Sequence, residues 1–267
     1  MNTQKYFYLH IPKTAGTTFN DFLKQSFPFG SCIFHLESKL HKIENKTVLS
    51  GHIVLPKAEN VIPNFNEYVT LTVLREPLSH ISSHLRYVKK LADPSEEKRL
   101  KQHSLPIQKI VARLDKTDLS MASEITIFIK WLEDENLALF HNTQTQYLIG
   151  SRFIINDNQL REASKSLHEI EYVGITERLD DFMLLLSQKL GFEKKVKKSK
   201  KLNVTSESFG LDIQDKETIK ALEPLVYYDY ILYKEAKEKF EKEFTTFFPI
   251  KQDSNFYLDR IINFFKK

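Results

Sequence analysis

The sequence predicts an α/β fold of three layers, a central, mainly parallel sheet flanked by helices. Short runs rich in Val, Ile, Leu, Tyr and Phe alternate with longer helical patterns along the chain. Each run is followed by a loop and then a helix, the order that gives parallel pairing through right-handed crossovers. The composition, 41% hydrophobic and 12% aromatic, supports a packed core rather than a disordered chain. At 267 residues, one domain spanning 1–267 accommodates all of it.

The first strand is read over 5–11, where an aromatic run stops at Pro12, and a helical pattern over 17–26 follows. Strands are expected at 47–50 and 68–74. A helix over 78–91 is introduced by Pro77, whose missing N–H costs nothing in a first turn. Residues 92–119 are polar with scattered apolar positions and read as a surface-lying helical insertion that shapes a cleft. Helices follow at 120–135 and 157–169, a strand at 171–175, and helices at 178–190 and 224–244. The segment 250–267 places Tyr257, Leu258, Ile261, Ile262 and Phe265 on one helical face. Such a C-terminal helix docks on its own domain, or offers a dimer face or a peripheral membrane contact.

The loop after the first strand carries the chemistry. A strand, a turn of small residues and a helix N-terminus together make an anion site, because the first-turn N–H groups point outward and the helix dipole adds positive charge. Lys13 adds a full charge, Thr14, Thr17 and Thr18 add hydroxyl donors, and Ala15 and Gly16 keep the turn small. This is not the nucleotide-triphosphate loop G-x-x-x-x-G-K-[ST]: Lys13 precedes Gly16 and no glycine stands in front. No apolar strand ends in an Asp suited to magnesium; the strand over 68–74 runs instead into Arg75-Glu76-Pro77. In parallel sheets ligands lie beyond the carboxyl ends of the strands. The loop, His52 and Arg75 each follow an expected strand, so they converge on one edge of the sheet.

His10-Ile11-Pro12-Lys13-Thr14-Ala15-Gly16-Thr17-Thr18-Phe19 resembles the 5′-phosphosulfate loop of sulfotransferases that use 3′-phosphoadenosine 5′-phosphosulfate (PAPS). Leu74-Arg75-Glu76-Pro77, with Ser83 eight positions after Arg75 and Tyr87 beyond, resembles their 3′-phosphate motif. Ser50-Gly51-His52 is similar to the segment bearing the catalytic histidine in the carbohydrate type, which includes heparan sulfate 2-O-sulfotransferase and small bacterial relatives. That segment often has a second His where this chain has Ser50. Asn142–Gly150 and Val173–Leu179 match more weakly, and the resemblance runs from about Tyr6 to about Phe240.

The resemblance implies a P-loop-like fold and a metal-free transfer from PAPS, as co-substrate, to a hydroxyl of a sugar or glycoconjugate, releasing adenosine 3′,5′-bisphosphate. Lys13, Thr14, Ala15, Gly16, Thr17 and Thr18 would bind the 5′-phosphosulfate, and Lys13 would also stabilise the departing phosphate. Arg75 and Ser83 would grip the 3′-phosphate. Asn203 and Thr205, beside the basic run 194–201, would sit in a loop over the nucleotide. His52 would take the acceptor proton, and Gln144 and Tyr147 would face the acceptor.

Plainer readings stand beside these. Arg75 could form a salt bridge with Glu76 or Asp93, and Ser82 is a neighbour easily confused with Ser83. His10 could orient the loop or pack. His80 and His84 share a helical face, which also fits a metal pair, although no third ligand is near in sequence. Residues 142–150 could be a helix with Tyr147 packed inward, and the basic run a solvated loop. That run has no interleaved aromatics, which disfavours nucleic acid.

A net charge of +4 fits an anionic ligand without requiring one. Cys32, the only cysteine, rules out an intrachain disulfide and fits a reducing compartment as a small buried hydrophobe. With no apolar run followed by a cleavage site, and none near the ~20 residues that span a bilayer, a cytoplasmic bacterial enzyme is expected. The rivals are a P-loop kinase or other nucleotide-triphosphate enzyme, binding ATP with magnesium, and a non-catalytic binder of anionic polysaccharide.

Overall fold

The computed structural model describes residues 4–150, 155–192 and 209–249. The expected nucleotide-covering loop, with Asn203 and Thr205, and the expected C-terminal helix over 250–267 lie outside them.

The elements are β1 (Lys5–Leu9), α1 (Gly16–Ser26), β2 (Cys32–Ile33), β3 (Val48–Gly51), α2 (Leu55–Val61), β4 (Tyr68–Leu74), α3 (Pro77–Lys90), α4 (Glu97–Leu100), α5 (Leu105–Asp115), α6 (Ala122–Asp134), α7 (Thr143–Ile149), α8 (Asp157–Glu169), β5 (Tyr172–Ile175), α9 (Leu179–Leu190) and α10 (Lys216–Phe247). The five strands form one sheet in the order β2-β3-β1-β4-β5. Every pairing is parallel, with Tyr6 opposite Val48 on one side and Val69 on the other. The α/β expectation holds, and the sheet is wholly parallel among the described residues.

Buried parallel strands need apolar side chains on both faces, and β1 shows why its sequence suits the centre. Tyr6 and Tyr8 pack on one face with Phe19 and Phe22 of α1 and Phe182 of α9. Phe7 and Leu9 pack on the other with Leu148 of α7, Leu167 of α8 and Leu232 of α10. The chain leaves β1 toward β2 and leaves β4 toward β5, so the strand order reverses between β1 and β4. Sheets of this kind bind ligands beyond the carboxyl ends of the strands at such a point.

One expectation is refined and one corrected. Residues 92–119 are helical and mostly exposed, as expected, and α5 docks on the domain through one face. Ile110, Val111 and Leu114 of α5 are buried with Ile81 and Leu85 of α3, Phe128 and Leu132 of α6, and Leu222 and Leu225 of α10. Their period along α5 makes an apolar stripe that needs a partner. The last helix begins at Lys216 rather than at Pro224, with Asp215 accepting from the Thr218 N–H at 2.8 Å as its cap.

Pro224 sits inside α10, and Asn142 inserts into the turn that follows it. The Asn142 Oδ1 accepts the N–H groups of Tyr228 (2.8 Å) and Asp229 (3.1 Å). Its own N–H donates to the Leu225 carbonyl at 2.7 Å. The two-residue β2 and the seven-residue α2 are too short to have been read from periodicity, whereas α7 is the helix weighed for 142–150, with Tyr147 packed inward. No helix of the described residues is long and apolar enough to cross a membrane.

Candidate functional site

The loop between β1 and α1 is held by its carbonyls. The Thr14 hydroxyl donates to the Ile11 carbonyl at 2.9 Å, His80 Nε2–H to that of Pro12 at 2.8 Å, and Arg75 Nη1–H to that of Lys13 at 3.1 Å. These bonds support a turn in which two non-glycine residues, Lys13 (φ 68°) and Ala15 (φ 63°), adopt left-handed backbone. Such residues cost on the order of 1 kcal/mol or more each and cluster at functional sites. The first bond of the helix runs from the Phe19 N–H to the Ala15 carbonyl at 3.1 Å. The N–H groups of Gly16, Thr17 and Thr18 are therefore not used by the helix. No side chain caps α1 and no acidic residue lies in its first turn, so its positive end is left for an anion.

Gly16 is required by close approach: a Cβ there would lie 1.6 Å from His10 Nε2. The His10 ring covers the start of α1, stacks on Tyr8 and lies 4.1 Å, centroid to centroid, from His52. Thr14 departs from expectation. It is fully buried and its hydroxyl is spent on Ile11, so its side chain braces the loop instead of facing a ligand. Thr17 is exposed and Thr18 half-buried, both on the outer side of the first turn.

Four cations gather beside this loop. Lys13 Nζ lies 4.4 Å from the Tyr87 ring centroid, and Arg99 Cζ lies 5.2 Å from the same ring. Arg86 donates to the Ser82 carbonyl at 3.1 Å and hydroxyl at 2.7 Å. Among the described residues the Arg75 guanidinium makes one hydrogen bond, to the Lys13 carbonyl. Among the described residues, Lys13, Arg75 and Arg86 take part in no ion pair. Arg99 reaches Glu96 at 3.6 Å.

Arg178 shows the contrast, paired with Asp181 at 2.7 Å and with Glu241. The carboxylates that act on Arg75, Glu177 and Glu76, are engaged elsewhere: Glu177 accepts the Glu76 N–H at 3.0 Å and the Tyr233 hydroxyl at 2.8 Å. Glu76 caps α3 through the Leu78 and Ser79 N–H groups (3.1 and 2.7 Å) and accepts the Tyr230 hydroxyl at 2.9 Å. Asp93 accepts from the Ser95 N–H at 2.8 Å. The alternative Arg75–Glu76 or Arg75–Asp93 salt bridge is thus not formed. Burial, followed by the charges of Arg75, Arg99 and Arg86, pulls the Lys13 ammonium down to about 8. A group of like charges held this way is relieved by an anion placed among them.

His52 stands on the other side of the loop, half-buried just beyond β3. Its Nδ1 lies 2.8 Å from the His10 carbonyl. A carbonyl only accepts, so Nδ1 carries the hydrogen and Nε2 carries the lone pair. Its backbone N–H donates to Glu37 Oε2 at 2.9 Å. Gly51 makes room for that carboxylate, since a Cβ there would come within 2.5 Å of it. Burial lowers the His52 pKa below 6.5, against the opposing pull of the His10 bond and Glu37. Burial drives His10 to about 2 and His80 to about 4. These rings are neutral near pH 7. His80 and His84 do not read as a metal pair: His80 anchors Pro12, His84 packs on Phe140 at 4.9 Å, and no group of three metal-binding side chains occurs among the described residues.

Ser83 is half-buried one turn before Tyr87 on α3, the face to which Lys13 turns. Ser82, its neighbour, is buried and holds Arg86. Gln144 does not face an acceptor. It is fully buried, and its amide takes the Arg75 N–H at 2.8 Å and donates to the Arg75 carbonyl at 2.9 Å. Tyr147 is half-buried and packs inward on the second face of the sheet, where burial raises its hydroxyl pKa. The sequence reading missed Glu37, Arg86, Arg99 and Asp229 as parts of this region, and it weighed His80 as a rival to His52 and in a metal pair rather than as an anchor of the loop. Helical spacing from Ser82 and Ser83 would have found Arg86, whereas no local signal points to Arg99 or Glu37.

Compared with known protein-family models and with curated protein sequences, the chain matches none.

Proposed function

We propose that this protein is a sulfotransferase that moves a sulfuryl group from 3′-phosphoadenosine 5′-phosphosulfate to a hydroxyl of a carbohydrate or glycoconjugate acceptor. The observation that carries the reading is the meeting of Lys13 and Arg75, neither in an ion pair among the described residues, at the uncapped start of α1. A ligand with separated phosphate-like groups suits such a site better than a single carboxylate does. The neutral His52 supports a transfer that also needs a base. The acceptor class comes from the sequence resemblance. The single cysteine, Cys32, free in the structure, supports a reducing, cytoplasmic setting.

The donor supplies an activated sulfuryl group, whose bond to the 5′-phosphate breaks as a bond to the acceptor oxygen forms. His52 Nε2 takes the acceptor proton, while the Nδ1 bond to His10 holds the ring in the required tautomer. Lys13 and the first N–H groups of α1 hold the negative charge that grows on the leaving phosphate, and being fixed beforehand they need little reorganisation. Arg75 binds the 3′-phosphate through its planar donors, with Ser83 assigned to the same group.

Calorimetry with adenosine 3′,5′-bisphosphate against ATP–magnesium tests the donor class. Strong preference for the bisphosphate is expected. Preference for ATP–magnesium would shift the reading to a kinase, and tight binding of an anionic polysaccharide without either nucleotide would shift it to a non-catalytic binder.

A further inference from the structure

Arg75 stands one residue beyond the last pairing of β4, which joins Leu74 to Ile175. Its N–H and carbonyl therefore have no strand partner at that point, and Gln144 takes the place of one. The Gln144 Oε1 accepts the Arg75 N–H and the Gln144 Nε2–H donates to the Arg75 carbonyl. This double contact also settles which end of the amide is oxygen. Gln144 is itself held from behind. Its N–H donates to Asp229 Oδ2 at 3.1 Å, and the Thr145 N–H and hydroxyl donate to Asp229 Oδ1 at 2.8 and 2.7 Å. Asp229 is fully buried on α10, in the turn that Asn142 pins. A continuous line of buried hydrogen bonds thus runs from α10 through Asp229 and Gln144 to the backbone of Arg75.

We infer that Gln144 and Asp229 are positioning residues that aim the Arg75 guanidinium at the phosphate it binds. The inference rests on the reading of Arg75 as the 3′-phosphate residue. A guanidinium that grips phosphate with two parallel bonds depends on the direction of its root, so displacement of the Arg75 backbone acts on affinity even though Gln144 touches no ligand. A merely structural Gln144 would lower stability and leave ligand preference alone.

The test compares two nucleotides, adenosine 3′,5′-bisphosphate and adenosine 5′-monophosphate, which lacks the phosphate assigned to Arg75. Affinities are measured by calorimetry for the wild type, Arg75→Ala, Gln144→Met and Asp229→Asn. Gln144→Met removes both bonds to Arg75 at similar volume. Asp229→Asn keeps one acceptor oxygen for Thr145 and loses the one that holds the Gln144 N–H, and circular dichroism with denaturant unfolding establishes for each variant that the fold is kept. Gln144→Met is expected to lose about tenfold in bisphosphate affinity, by analogy with the cost of misplacing a positioned group, with monophosphate affinity unchanged. Asp229→Asn shifts the same way by less. If Arg75→Ala erases the preference and both supporting variants keep it in full, the positioning role is wrong and the reading of Arg75 survives. If the wild type shows no preference for the bisphosphate, or Arg75→Ala leaves it intact, the reading of Arg75 falls and this inference falls with it.

Discussion

Raising the pH from 7 to 9 discharges Lys13 and weakens binding of a phosphate dianion. The magnitude follows from the surroundings of Lys13. Burial and the charges of Arg75, Arg99 and Arg86 hold the free ammonium down to about 8 from an ordinary 10.5. A bound dianion reverses that balance and returns the group toward its ordinary value. Lys13 in the free protein is then about nine-tenths protonated at pH 7 and about one-tenth at pH 9, so affinity falls about tenfold, or about 1.4 kcal/mol.

The ligand contributes little to this slope, because phosphate monoesters lose their second proton near pH 6 and are dianionic throughout. Calorimetry with adenosine 3′,5′-bisphosphate at the two pH values reads the change. Titrations at pH 8 in buffers of different ionisation enthalpy are expected to show uptake of about half a proton per ligand bound. Lys13→Arg keeps its charge at both pH values and flattens the profile, whatever it does to absolute affinity. Equal affinity of the wild type at pH 7 and 9, or an undiminished slope in Lys13→Arg, would refute the placement of the anion beside Lys13.

His52 must be neutral to accept a proton, and its pKa lies below 6.5. Activity therefore holds down to pH 6.5 and falls on the acid side of that value as the ring charges; an acid limb centred above 6.5 in a pH–rate profile would contradict the assignment. His52→Ala is expected to abolish transfer of labelled sulfate while leaving bisphosphate affinity nearly unchanged. Gly16→Ala drives a methyl into the His10 ring and is expected to cost about 1–3 kcal/mol of stability with loss of nucleotide binding, read by denaturant unfolding and calorimetry. Leu114→Ala is expected to cost about 2–5 kcal/mol, as a core truncation does; a cost near zero would contradict the docking of this face of α5.

The parts of the site legible in the sequence are those with short-range signals. The aromatic run before Pro12, the small-residue loop and the helical pattern after it announce a strand, an anion loop and a helix within about twenty residues, because strand pattern, turn chemistry and helix start are local properties. Arg75 and His52 were legible for the same reason: each follows a recognisable strand, and parallel sheets bring strand ends together. The short β2 and α2 carry too few residues to show a period. Pro224 looked like a helix start because proline suits a first helical turn, whereas the chain is already helical from Lys216.

By itself, then, the chain determined the alternation of strands and helices, the composition of the anion loop and the edge of the sheet on which the candidate residues gather. Only the tertiary structure decided what those residues are able to do. The tautomer of His52 depends on a carbonyl 42 positions away, and the aim of Arg75 on an amide 69 positions away. The acidity of Lys13 depends on burial and on Arg75, Arg99 and Arg86, which folding brings beside it. Local sequence governs backbone conformation through sterics and periodicity, whereas protonation, tautomer and side-chain direction are set by burial and by partners that only folding brings into contact.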